Sequence, residues 1–145
     1  MSDERVRIVA AGYDRMAERF LDWAQRVEGD PRLDWLADLA ERLPDGARVL
    51  ELGCGAGEPC TRILSERFRV TGVDSSAEQL RLAARNAPEA ELVHADFLEA
   101  GLPADSFDAV CSFEQAGLAI LRDEVVTFVE PDHGDASFQW ILAER

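Results

Sequence analysis

The chain has 145 residues, enough for one domain with a buried core. Its 29 acidic against 15 basic residues leave a formal charge of −14, which repels phosphate backbones and anionic headgroups and makes nucleic acid and membrane poor partners. No stretch reaches the roughly 20 apolar residues of a membrane helix, and the charged start Met1-Ser2-Asp3-Glu4-Arg5 lacks a secretory apolar region, so the expected location is cytoplasmic.

Val6, Val9, Tyr13, Met16, Phe20, Trp23 and Val27 recur at spacings of three and four, the period of an amphipathic helix with one apolar stripe. Gly12 interrupts that stripe and marks a kink or break. Asp30-Pro31 supplies an N-cap and a first-turn proline for a second helix. Leu33, Leu36, Leu39, Ala40 and Leu43 line its apolar face, and Pro44-Asp45-Gly46 stops it.

From Arg48 the pattern changes to short apolar strands alternating with helices. Arg48 to Leu52 reads as a strand that runs into Gly53-Cys54-Gly55-Ala56-Gly57, and Pro59 to Arg67 as a helix. Val70 to Asp74 is a second strand. Ser75 or Ser76 then caps a helix that reaches Asn86, with Glu78 or Gln79 completing a capping box. Glu91 to His94 and Phe107 to Ser112 are the third and fourth strands. Apolar strands joined by helices predict a parallel sheet. The tail departs from this: Leu118 to Glu130 and Ser137 to Ala143, separated by Pro131 to Asp135, predict an antiparallel hairpin.

The glycine run lets the backbone approach a ligand because no Cβ atoms intervene, although such loops also close ordinary strand-to-helix turns. The dinucleotide fingerprint needs a third glycine where Glu58 stands, and a carboxylate in that first turn repels a phosphate. A P-loop needs a Gly-Lys-Ser/Thr that is absent from the sequence. The loop therefore suits a nucleoside without phosphates. Asp74 at the end of the second strand either accepts the two hydroxyls of a ribose or begins the next helix. Asp96 after the third strand can accept from an exocyclic amine, with Phe97 offering an apolar face to a base. Cys54, Cys60 and Cys111 are odd in number and irregular in spacing, which suggests buried reduced thiols, and neither they nor His94 and His133 make a zinc pattern.

Val49-Leu50-Glu51-Leu52-Gly53-Cys54-Gly55-Ala56-Gly57 resembles the first motif of class I S-adenosylmethionine-dependent methyltransferases. Val70-Thr71-Gly72-Val73-Asp74-Ser75-Ser76 is similar to their second-strand motif, and His94-Ala95-Asp96-Phe97 to the stretch that leads to their fourth strand. Tyr13-Asp14-Arg15-Met16-Ala17 is similar to a tyrosine-bearing helix that closes over the cofactor. The resemblance implies a Rossmann-like α/β fold with S-adenosylmethionine as cofactor and a small-molecule methyl acceptor. It also implies a cofactor-binding set: Gly53, Cys54 and Gly55 at the methionine end, with Glu51 orienting the loop; Asp74 and Ser75 at the ribose; Asp96 and Phe97 at the adenine; Ser112 beside the cofactor. Tyr13 either covers the amino-acid end or is a core aromatic. No residue stands out as a general base and no metal is implied.

One departure from the family pattern stands out. The usual fourth strand is followed by a helix, a fifth strand and another helix, which need about 30 residues. Here Cys111-Ser112-Phe113 runs directly into Glu114 to Leu118 and the hairpin. The expected organisation is a single domain of N-terminal helices over 1–46, a cofactor-binding core over 47–113 and a hairpin over 114–145, without the fifth strand and its helices. The face beside the fourth strand should then expose apolar side chains, which predicts a homodimer or swapped assembly. Two functions remain open: methyl transfer, weakened by the shortened fold, or a non-catalytic cofactor-binding or interaction module.

Overall fold

The computed structural model describes residues 4–30, 32–96, 99–103, 106–111, 119–130 and 134–144. Helix α1 spans Glu4–Gln25 and α2 Arg32–Arg42. Strand β1 (Arg48–Leu52) leads through the glycine loop to α3 (Cys60–Ser65), and β2 (Arg69–Asp74) leads to α4 (Ala77–Asn86). Strands β3 (Glu91–His94) and β4 (Ala109–Cys111) complete a parallel sheet of order β3-β2-β1-β4. Strands β5 (Ala119–Glu130) and β6 (Gly134–Glu144) form a separate antiparallel pair. Strand β6 comes within 8 Å of β4 between Cα atoms. The Rossmann-like sheet and the hairpin are those expected, and β6 begins at Gly134 rather than Ser137 because residues expected in the turn pair with β5 as far as Glu130.

The order of β1, β2 and β3 puts α3 and α4 on one face, since both crossovers step the same way and are right-handed. Val49, Val70 and Ala109 share a rung on that face. They pack with Trp35, Leu36 and Leu39 of α2 and with Leu64 and Phe68. Each buried Val, Leu or Phe among them contributes about 1.5–3 kcal/mol by leaving water. Arg67 clamps the end of α2: its guanidinium donates to the carbonyls of Ala40 at 2.7 Å and Leu43 at 3.2 Å and pairs with Asp45.

Several expectations change in the folded chain. Helix α1 is continuous through Gly12, where an added Cβ would meet nothing within 4 Å. One helical glycine costs about 1 kcal/mol, which the docking of a long helix offsets. The apolar stripe of α1 does not face the core, since only Ala17 is buried, while Val9 and Met16 are 53% and 44% exposed. In α2, Trp35 takes the core place expected of Leu33, which is 46% exposed. Helix α3 stops at Ser65, short of Arg67, and the chain then turns through Phe68 N–H donation to Leu64 O at 2.8 Å. Strand β4 begins only at Ala109 because Asp108 holds its foot: its amide donates to Arg48 O at 2.7 Å and its carboxylate accepts from Arg48 N at 2.8 Å.

Candidate functional site at the carboxyl edge of the sheet

The glycine loop is tied to the end of β2. The amides of Gly53 and Cys54 both donate to Val73 O, at 2.7 and 3.1 Å. The amide of Gly55 donates to Asp74 Oδ2 at 2.9 Å, and that of Ser76 to Asp74 Oδ1 at 2.8 Å. Gly57 has φ of +79°, and a Cβ there would lie 3.2 Å from Ala83 Cα, so the loop needs glycine at this point twice over. Beneath it, a Cβ on Gly72 would lie 2.9 Å from Cys54 Sγ, so the bare second strand makes room for the loop's side chain.

Asp74 is thus a loop latch. Each carboxylate oxygen has accepted one amide and keeps a second lone pair, so the pair can still receive a vicinal diol. The alternative role, capping α4, falls to Ser76, whose Oγ accepts from Gln79 N at 3.2 Å. Ser75 is half-buried, and its carbonyl lies 3.0 Å from His94 Nε2.

Glu51, 9% exposed, ends the buried run of β1 beside the loop. Thr61 Oγ1 donates to its Oε2 at 2.6 Å. Burial pushes its carboxyl up to about 7, against the pull of the Thr61 hydrogen bond and the Arg32 charge and with a further push from Asp74. Burial, then the neighbouring Glu51 charge, also raises the thiols of Cys54, Cys60 and Cys111. Cys60 reaches about 12. All three are free and protonated, hence poor nucleophiles, and Cys60 and Cys111 are only partly buried.

Helix α1 crosses this edge. Its Ala17 packs on Ala56 of the loop and on Leu82 of α4. Asp14 fixes its rotation: Oδ1 accepts from Ser76 Oγ at 2.6 Å and from Glu78 N at 3.1 Å. These bonds, the Ser76 one first, hold the Asp14 carboxyl below its ordinary range. Further along, Val6, Arg7 and Ala10 meet Ser75, His94, Ala95, Asp96 and Glu99 around a cavity of about 230 Å³. Tyr13 lies on the flank of α1, 39% exposed, with its ring edge-to-face on Phe20 at 5.7 Å, so it is not a core aromatic.

Of the residues expected at the site, Glu51, Gly53, Cys54, Gly55, Asp74, Ser75 and Asp96 gather along this edge, with Tyr13 on the helix above. Phe97 and Ser112 lie outside the described residues. Two contributors escaped the sequence reading. Asp14 carried a usable signal, a carboxylate on the turn of α1 next to Tyr13, but its partner is 62 residues away. Thr61 carried none, being one of several polar residues in a short helix.

A nucleoside with an amino-acid tail fits this donor set. Asp74 has free acceptor lone pairs, and Glu51 presents a carboxylate at the loop. Gln79 Oε1, near Gly55, is buried without a hydrogen-bond partner among the described residues. Glu58, in the place of the third fingerprint glycine, is engaged by Arg62 at 2.8 Å and keeps a carboxylate at the start of α3. No helix among the described residues is long and apolar enough to cross a membrane.

Residues 49–130 match the family model described as a methyltransferase domain. The chain is 42% identical over 106 residues to a trans-aconitate 2-methyltransferase of Azoarcus sp. (strain BH72), across 70% of this chain and 40% of that protein. It therefore spans about two fifths of the length of that relative. The solved structure of a TehB-like SAM-dependent methyltransferase from Corynebacterium glutamicum is similar at a TM-score of 0.53 and 28% identity, over 69% of this chain and 53% of that one. A functionally unknown protein from Deinococcus radiodurans R1 shares the fold at a TM-score of 0.61 and 18% identity, over 92% of this chain and 99% of the other.

Proposed function

Because the chain belongs to the methyltransferase domain family, we propose that it binds S-adenosylmethionine along the carboxyl edge of β1, β2 and β3 and takes part in methyl transfer to a small molecule. The observation that carries this reading is the Asp74 latch, which ties a glycine loop to a carboxylate whose remaining lone pairs suit a ribose diol. When bound, S-adenosylmethionine supplies an already activated methyl group, so the protein's work is to position and desolvate. Asp74 holds the ribose hydroxyls, and Asp96, with Phe97, frames the base. The backbone of Gly53, Cys54 and Gly55 receives the methionine end beside Glu51. Tyr13 and the rest of α1 cover the site, and Ser75 and Ser112 border it. No general base is assigned, and none is required where the acceptor is already nucleophilic.

A second reading is favoured by one feature: among the described residues, β4 has three residues and stands at the edge of the four-stranded sheet. An acceptor pocket needs walls beyond β4. On this reading the chain binds the cofactor and depends on further polypeptide for turnover, and a homodimer or swapped assembly provides it. Calorimetry with S-adenosylmethionine, its demethylated product and NAD tests the shared premise. Binding of the first two at micromolar concentration and not of NAD supports it; the reverse selectivity removes it. Incubation with labelled cofactor and a panel of neutral and anionic acceptors, alongside light scattering, then separates an active enzyme from a binding module.

A further inference from the structure

We infer that Thr61 is a positioning residue that keeps the Glu51 carboxylate ionised and fixed beside the glycine loop, and thereby sets the pH dependence of cofactor binding. The inference rests on the cofactor reading above. Thr61 is the second residue of α3 and is fully buried. A helical threonine commonly turns its hydroxyl back to a carbonyl of the preceding turn, as Ser65 Oγ does here, donating to Thr61 O at 2.7 Å. Thr61 instead spends its one proton on Glu51 Oε2 at 2.6 Å, a short charge-assisted bond. Among the described residues, this is the hydrogen bond the Glu51 side chain receives.

The other groups facing Glu51 do not replace that donor. From α2, the Arg32 guanidinium contributes charge, while its Nε and Nη2 donate to Asp30 in a two-pronged pair at 2.6–3.0 Å. From β2, the Asp74 carboxylate repels. The thiols of Cys54 in the loop, Cys60 on α3 and Cys111, the β4 rung partner of Glu51, are protonated and weak donors. Desolvation pushes towards the neutral carboxyl, and only with the Thr61 bond and the Arg32 charge opposing it does Glu51 stand at about 7. A cationic ammonium or sulfonium gains from the ionised form only. Its affinity should therefore rise as Glu51 gives its proton to solvent, and the Thr61 bond sets where on the pH scale that happens.

The test is calorimetric titration with S-adenosylmethionine from about pH 6 to about pH 9, with parallel NMR titration of the Glu51 carboxyl in the ligand-free protein. The wild-type protein should bind more tightly through about pH 7, with the Glu51 resonance moving in the same range. T61V should bind about fivefold more weakly at about pH 7 and about tenfold at about pH 6, with both midpoints raised by about one unit and affinities converging at the alkaline end. T61S, which keeps the hydroxyl, should restore both midpoints. E51Q should bind weakly with a flat profile. Unchanged midpoints in T61V, or a flat wild-type profile, overturn the inference while leaving cofactor binding intact. Should T61V fail to fold, the wild-type, T61S and E51Q profiles still decide the matter, since a T61S midpoint unlike the wild type's also overturns it. Absence of S-adenosylmethionine binding by the wild-type protein at every pH overturns the cofactor reading itself.

Discussion

The two ends of the sheet are built differently. At β1 and β2, the amides of residues 53, 54, 55 and 76 all close on Val73 and Asp74, and the helices over that face bury a continuous apolar cluster. At β4, three residues pair with β1 on one side, and the next strands form a sheet of their own. The first region satisfies its own polar groups from chain segments about twenty residues apart, so it can present a preformed loop to a ligand. The second relies on strands that do not extend the main ladder. Among the described residues, the β1–β2 end closes its own hydrogen bonds around the loop, whereas β4 carries a ladder to β1 alone.

That contrast makes a series of expectations. D74A should have the largest effect, lowering S-adenosylmethionine affinity about a hundredfold or more in calorimetry, because the proposed ribose acceptor and the Gly55 tether go together. A mild loss would mean that the loop holds itself and that the comparison overstates Asp74. Next is Glu51, whose folded carboxyl is raised from an ordinary 4.5 to about 7. Between those values the folded state holds the extra proton, so ligand-free stability should fall as pH rises, by about 3 kcal/mol in all. Denaturant unfolding at several pH values checks this, and E51Q should remove the slope.

G57A should cost about 2–3 kcal/mol in the same unfolding assay, combining a left-handed φ of +79° with contact on the Ala83 backbone. D14A should cost about 1 kcal/mol and weaken cofactor binding a few-fold, by releasing α1 from Ser76 and Glu78. Because the Asp14 carboxyl is held below its ordinary range, its contribution is present above the unfolded value and lost as pH falls through the lowered one. The smallest effect tests the other end. D108A loosens the foot of β4 at a cost of about 1 kcal/mol, with cofactor affinity unchanged within about threefold. A large loss of affinity in D108A would show that the two ends are coupled after all.

Much of this site could be read in advance, because its parts lie in short contiguous motifs. The glycine run, Asp74 and Asp96 each follow a strand directly, and any parallel sheet delivers consecutive strand ends to one edge. Asp14 and the orientation of α1 could not be read that way. The stripe of Val9, Tyr13 and Met16 predicted a buried face, yet the helix turns on the short contact of Ala17 with Ala56 and Leu82, held by a carboxylate reaching α4. Periodicity reports which residues share a side of a helix and not which side another element will cover. The same limit applies to Leu33 and Trp35 in α2.

Local pattern in the chain was enough to determine the strand–helix alternation, the bare loop and its acidic neighbours, since each is set by spacing, backbone freedom and charge within a few residues. Only the folded molecule decided that Asp74 latches the loop, that Glu51 is desolvated beside Thr61 and Arg32, and that α1 lies across the edge as it does. The physical reason is that burial and hydrogen bonding between distant segments depend on which surfaces meet, and no stretch of sequence carries that information alone.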